Sequence, residues 1–248
     1  MEILGIIPAR YNSTRFPGKP LAMIGDKSMI RRVYEQSQTF IKEVYVATDD
    51  NRIFSHVKDF GGNVVMTSEK HRSGTDRCSE AMDSIISGTG TDPDIVVNIQ
   101  GDEPFIDNSQ IDTLIRCFDD PIAEIATLVK KIVKSEDIFD VHKPKVVFDH
   151  MNFALYFSRS PIPFMRGWDK KDWLEAHEFY NHVGIYAYRK EVLKKITRLE
   201  ISELERAESL EQLRWLQNGF KIKVAETFSE SFGIDTPADL DRALKFLF

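Results

Sequence analysis

The chain has 248 residues, enough for one α/β domain or for one domain carrying a smaller insertion. With 42% hydrophobic and 29% charged residues it is an ordinary globular mixture. Its formal net charge of -6 argues against nucleic acid as the main partner, because phosphate-backbone binding needs an excess of Lys and Arg on one face. A small anionic ligand needs only a local cluster.

The first apolar run, Ile3 to Ile7, is too short for a signal peptide or a membrane span, and no later run approaches the ~18 apolar residues of a span. The expectation is a soluble, cytoplasmic protein. That run reads as a buried strand. Glu43 to Thr48, Asn63 to Met66 and Asp94 to Ile99 read as three more. Helical patterns lie between them near 28–39, 50–60 and 74–86. Such alternation predicts a parallel sheet covered on both faces, with ligands beyond the C-terminal strand ends. Neither Cys78 nor Cys117 belongs to a C-x-x-C or Cys/His pattern, so both are expected reduced.

From about 124 the pattern changes. Ile125 to Ile132, Lys145 to Phe148, Ala154 to Ser158 and His182 to Tyr188 are strand candidates with fewer helices between them. They suggest an inserted antiparallel lobe at about 125–190. Pro161 to His177, with its prolines, glycine and tryptophans, reads as a mobile surface loop. Ser202-x-x-Glu205 is a capping box ahead of a helix near 207–218. Thr236-Pro237 starts a last helix with Thr at the N-cap and Pro at its first position, and Leu240, Ala243, Leu244 and Leu247 form its apolar stripe.

Four groups of residues carry candidate chemistry. Pro8 to Pro20, after the first strand, holds Arg10, Arg15 and Lys19 among stiffening prolines and Gly18. Three clustered cations repel one another unless an anion joins them, and a triphosphate is a natural counterion. The loop is neither a Walker A sequence nor G-x-G-x-x-G. His71 to Arg77 offers Ser73 and Thr75 as helix caps or as hydrogen-bonding groups for a base edge, with Arg77 adding charge. In Asn98 to Pro104, Gly101 precedes Asp102 at a strand end, a common way of presenting a carboxylate to Mg²⁺. Asp235, just before the last helix, is a second carboxylate that reads either as a ligand of the same ion or as a cap. In the later half, Arg159, His182, Glu208 and Glu211 supply the donors and acceptors a polar, carboxylated sugar needs; a solvated helix face and a structural histidine are the plain alternatives.

These segments resemble the 3-deoxy-manno-octulosonate (Kdo) cytidylyltransferase family. The likeness lies in Ile6 to Tyr11 and Arg15 to Leu21, Val46 to Asp49, Ser73 to Arg77 and Val97 to Pro104. It continues in Ala154 to Arg159, His182 to Tyr186, Glu208 to Arg214 and Gly233 to Pro237, in the family's order. The resemblance implies a nucleotide-diphospho-sugar transferase fold, a Rossmann-like mixed sheet with an inserted antiparallel lobe that makes a homodimer. It implies CTP, Mg²⁺ and Kdo as reactants in lipopolysaccharide synthesis. By position, Pro8, Ala9, Arg10, Arg15, Lys19, Ser73, Gly74 and Arg77 would hold CTP, and Asp102 with Asp235 would hold Mg²⁺. Arg10, Lys19, Asp102 and Asp235 would be catalytic. Gln100, Arg159, His182, Glu208 and Glu211 would surround the sugar. The chain departs from the family's pattern at Asn12, at Phe16, and after Ile162-Pro163, where Phe164-Met165-Arg166 replaces Trp-Asp. Related acid sugars such as 8-amino-Kdo or a sialic acid, and a non-catalytic nucleotide-binding regulator, are the competing expectations.

Overall fold

A computed structural model describes residues 1–12, 15–229 and 233–247, without the side chains of the last two. Contacts divide the chain into two compact units. The first comprises Met1–Ile111, Tyr188–Thr197 and Ser229–Phe248, and the second Asp112–Ala187 and Arg198–Phe228.

The first unit opens with β1 (Ile3–Ala9), a short β2 (Met23–Ile24) and β3 (Lys27–Ser28) hairpin, and α1 (Met29–Gln38). It continues through β4 (Glu43–Thr48), α2 (Asn51–Asp59), β5 (Val64–Met66), α3 (Gly74–Thr89) and β6 (Ile95–Asn98). The strands run in the order β6-β1-β4-β5, all parallel. Leu4, Ile6, Val44, Val46, Val96 and Val97 are completely buried, as expected where helices cover both faces of a sheet. The helix starts are fixed locally. Ser28, Asp50 and Ser73 each cap the helix that follows, accepting from the backbone N–H of Arg31, Arg52 and Asp76. The four strands match the expected ones to within two residues at either end.

After α4 (Asn108–Arg116) the second unit contributes β7 (Ile125–Lys131), α5 (Ser135–Phe139), β8 (Lys145–Phe148), β9 (Ala154–Ser158) and α6 (Trp173–Ala176). Next comes β10 (Tyr180–Arg189), whose last two residues belong to the first unit together with α7 (Lys190–Ile196). Then follow α8 (Glu203–Glu208), α9 (Gln212–Gln217) and β11 (Ile222–Glu226) of the second unit, and α10 (Pro237–Leu247) of the first. The hairpin of β8 with β9 and the pairing of β8 with β10 are antiparallel. β11, which the sequence pattern did not reveal, lies parallel to β7.

Two expectations need correction. The helix near 207–218 is two helices, because Ser209 adopts a left-handed φ of 51° and breaks the ladder between α8 and α9. Ser202 caps α8 as the capping-box pattern indicates. The segment 161–177 is not a free loop along its length. Trp173 is 2% exposed and packs with Ile132, Ile138 and Phe179, its indole lying nearly parallel to the Phe179 ring. Phe164, 74% exposed, and Trp168, 52% exposed, do lie at the surface.

Candidate functional site

β1 ends at Ala9, and Tyr11 shortly after it is tied to Gly18. The Gly18 N–H donates to the Tyr11 carbonyl at 2.9 Å, and Lys19 starts a single 3₁₀ turn. Gly18 has φ 72°, a conformation that side chains resist, and a Cβ there would also press on the Tyr11 ring at 3.1 Å. The Arg52 guanidinium stacks over the other part of this anchor, 3.3 Å from the Tyr11 ring centre. The Gly18–Tyr11 contact therefore holds the backbone just before Lys19.

Lys19 is the hub of the charge arrangement. Its ammonium lies 2.7 Å from Asp102 Oδ2 and 3.1 Å from Asp235 Oδ1. Arg15 reaches both oxygens of Asp235 at 3.1 Å. The Ile234 N–H donates to the Asp102 carbonyl at 2.9 Å, so the two acidic segments are joined through their backbones as well. Asp235 is held just ahead of α10, where Thr236 and Asp239 form a reciprocal cap: the Asp239 N–H donates to Thr236 Oγ1, and Asp239 Oδ2 accepts from the Thr236 N–H. The side chains of Ile234 and Ala243 bury against Ile24 and Met29, which anchors this end of the chain.

These residues line a cavity of about 240 Å³ at the C-terminal ends of the parallel strands. Pro8, Ala9, Arg10, Arg15, Lys19, Ser73, Gly74, Arg77, Gln100, Asp102 and Asp235 all border it, so every site residue expected in the first half of the chain meets there with Asp235. Close packing shapes its floor. A Cβ on Gly101 would stand 3.0 Å from the Pro8 carbonyl oxygen, and one on Gly74 would stand 3.3 Å from Pro8 Cγ. Ser73 and Gly74 put the N-terminus of α3 on the cavity wall, where the positive end of the helix dipole favours an anion.

Arg77, expected to add charge beside the nucleotide, is itself enclosed. It is 3% exposed, and its guanidinium ends on Thr67 Oγ1 at 2.5 Å and on Asp49 Oδ2 at 2.6 Å. Beside the acidic pair, burial first and the charge of Asp102 second push the Glu103 carboxyl up to about 7.

The remaining expected residues lie in the second unit. Arg159 and Glu208 come together: the Arg159 backbone N–H donates to Glu208 Oε2 at 2.9 Å, and Ser158 Oγ donates to Oε1 at 2.6 Å. The Arg159 side chain donates to the carbonyls of Glu208, Ser209 and Val141. Glu211 receives Arg214 Nη2 at 2.7 Å, and the break at Ser209 puts it at the N-cap of α9 whereas Glu208 ends α8. The His182 ring packs edge-on against Phe157, and Nε2 lies 3.0 Å from Thr127 Oγ1. Burial pushes its pKa down to about 3, so the ring is neutral. Thr67 and Thr127 were not singled out from the sequence, and Asp49 only as the end of a matching segment, because a partner hydroxyl or carboxylate in or beside a strand has no distinguishing local pattern.

The chain matches the family described as Cytidylyltransferase over residues 4–223. It is 59% identical to a 3-deoxy-manno-octulosonate cytidylyltransferase of Bacteroides thetaiotaomicron, covering 100% of this chain and 98% of that protein. A protein of the same name from Thermodesulfovibrio yellowstonii is 50% identical, with 100% and 98% covered. Among solved structures, a CMP:2-keto-3-deoxy-manno-octonic acid synthetase complexed with CTP superimposes with a TM-score of 0.90 at 41% identity, over 100% of this chain and 98% of that one. A glucose-1-phosphate thymidylyltransferase from Bacillus anthracis, at 19% identity and a TM-score of 0.63, shares the fold alone. A parallel sheet ending in a cationic cavity, and whole-length identity well above that needed to share a family, lead to one assignment: the chain belongs to the 3-deoxy-manno-octulosonate cytidylyltransferase family.

Proposed function

We propose that this protein transfers the CMP unit of CTP to the anomeric hydroxyl of Kdo, giving CMP-Kdo and pyrophosphate for lipopolysaccharide synthesis. The observation that carries this reading is the meeting of Arg10, Arg15 and Lys19 with Asp102 and Asp235 around one cavity. The names of the 57–59% identical relatives supply the sugar.

In the reaction the anomeric oxygen forms a bond to the α-phosphorus while the bond from that phosphorus to the bridging oxygen of pyrophosphate breaks, and the hydroxyl proton passes to solvent. Such a displacement needs mainly alignment and charge neutralisation. Arg10, Arg15 and Lys19 take the role of holding the triphosphate and stabilising the departing pyrophosphate. The N-terminus of α3 at Ser73 and Gly74 gives neutral N–H donors beside them. Arg77, fixed by Asp49 and Thr67, serves the cytidine end as part of a rigid wall. Gln100, Arg159, His182, Glu208 and Glu211 take the acid sugar.

Asp102 and Asp235 fit a hard divalent cation, since two carboxylates already converge on a single ammonium, and Mg²⁺ commonly takes one or two carboxylates with phosphate oxygens and water. When bound there, Mg²⁺ supplies Lewis-acid neutralisation of the reacting phosphate. We further infer a cytoplasmic homodimer.

Pyrophosphate release with CTP and a panel of Kdo, 8-amino-Kdo and a sialic acid, with and without Mg²⁺, tests the reading. Turnover of Kdo above the others supports it. Preference for another sugar moves the substrate, and CTP binding without turnover of any of them replaces the enzyme with a nucleotide-binding regulator.

A further inference from the structure

Lys145, in the second unit, has no task in the reading above. It opens β8 and exposes none of its surface. Its register partners are Ser158 on β9 and Asn181 on β10, so the three side chains leave the same face of the sheet. Its ammonium donates to the Asp140 carbonyl at 2.7 Å. Burial holds its pKa below the usual lysine range, against the charges of Asp140 and Glu208 and together with that of Arg159. An ammonium kept out of water on one backbone carbonyl is unfavourable, and a methionine would fill the same volume without that penalty.

The contacts around it interlock. Arg159 Nη1 donates to the Val141 carbonyl at 2.9 Å, the carbonyl next to the one Lys145 holds. Ser158 Oγ, opposite Lys145 across the β8–β9 pair, donates to Glu208 at 2.6 Å. The residue after Ser158 gives Glu208 its second hydrogen bond, from the Arg159 backbone at 2.9 Å. The Lys145 ammonium thus holds the Asp140 carbonyl, next in the chain to the Val141 carbonyl on which Arg159 rests, and it does so from the strand position opposite Ser158.

We propose that Lys145 is a positioning residue for the Arg159–Glu208 pair and, through that pair, for recognition of the acid sugar. The proposal rests on the assignment of Arg159 and Glu208 to the sugar. Its test is Lys145→Met in the full-length protein, with KM measured separately for Kdo and for CTP, and with a melting curve. The expected result is a Kdo KM raised about 10-fold or more, since small misplacements of binding groups are costly. The CTP KM stays unchanged, and the melting temperature stays within about 3 °C of wild type. An unchanged Kdo KM, or a parallel rise of both KM values, overturns the proposal. If Lys145→Met does not fold, Lys145→Gln and Ser158→Ala are combined in a double-mutant cycle read by Kdo KM. Non-additive effects support action through Glu208, and additive ones overturn it. The wild type separates the two levels of inference. A wild type that turns over no acid sugar sinks the functional reading. A wild type that turns over Kdo while the variants keep its KM sinks only the role of Lys145.

Discussion

Lys19 Nζ lies 2.7 Å from Asp102 Oδ2, although the two residues are 83 positions apart in the chain. The same ammonium reaches Asp235 across 216 positions. The cation of the first loop is thus paired with the two carboxylates proposed to hold Mg²⁺. Asp102→Asn is expected to lower kcat about 10²-fold or more, on the order of 3 kcal/mol of barrier. It is also expected to preserve or tighten CTP binding in the presence of EDTA, because a negative charge beside the triphosphate is removed and Lys19 is freed. Steady-state rates and metal-free calorimetry check the two halves. A near-normal rate for this variant, or for Asp235→Asn, removes both residues from the catalytic role.

Arg77 and Asp49 form a pair whose side chains are 4% and 16% exposed. Arg77→Met leaves the Asp49 carboxylate half-enclosed with no countercharge, and is expected to cost about 3 kcal/mol of stability. Asp49→Asn, which keeps a hydrogen-bonding group beside the guanidinium, is expected to cost less. Urea unfolding of both variants gives the comparison. Equal losses would show that the carboxylate's charge is not what the pair balances.

Gly101 is required for space. Its Cβ would stand 3.0 Å from the Pro8 carbonyl oxygen, a backbone atom that cannot swing aside. Gly101→Ala should therefore displace the end of β1 together with Arg10. Overpacking of this kind typically costs about 1–3 kcal/mol, and the CTP KM should rise with it. A variant with wild-type stability and CTP KM would contradict the tight packing of the cavity floor.

His182 gives the fold a pH dependence of definite sign. Its pKa is about 3 in the folded chain and ~6.5 when unfolded. Between those values the unfolded chain binds the extra proton, so this contribution to stability is complete above about 6.5 and is lost as pH falls toward about 3. The slope is at most about 1.4 kcal/mol per pH unit. Glu103 acts in the opposite sense: its folded pKa of about 7 lies above the unfolded value, so its contribution is present at low pH and is lost as pH rises through about 7. The check is therefore the difference between wild type and His182→Phe in urea unfolding at pH 7.5 and 5.5. The variant should lose less on acidification, and parallel losses would rule out a neutral His182 ring.

Thr236 sets the entry into α10. Thr236→Ala removes the cap on the Asp239 N–H and should cost about 1 kcal/mol. Asp239, held at about 2 by its hydrogen bonds to Thr236 and then by Arg242, contributes stability that is full above about 4 and declines toward about 2 as acid protonates it. Acid unfolding of Thr236→Ala should begin at higher pH than in wild type. Because Asp235 immediately precedes this cap, a fall in kcat is expected to accompany the loss.

The sequence by itself determined what depends on near neighbours. Apolar runs located β1, β4, β5 and β6, since a strand buried on both faces needs continuous apolar residues. Ser73, Ser202 and Thr236 marked helix starts, since a cap involves only the next three residues. The cations of the first loop stood out because they lie within ten residues of one another. What only the tertiary structure decided depends on partners far along the chain. Asp235 read locally as either a metal ligand or a helix cap, and the fold brings it to Lys19. Arg77 showed its charge in the sequence, but not that Thr67 and Asp49 enclose it. Trp173 looked exposed until Phe179 and Ile138 gave it a core to enter. The helix near 207–218 looked continuous because nothing in the local composition shows that Ser209 turns left-handed. Charge and hydrophobicity say what each residue needs, and the packing of distant segments decides which partner meets that need.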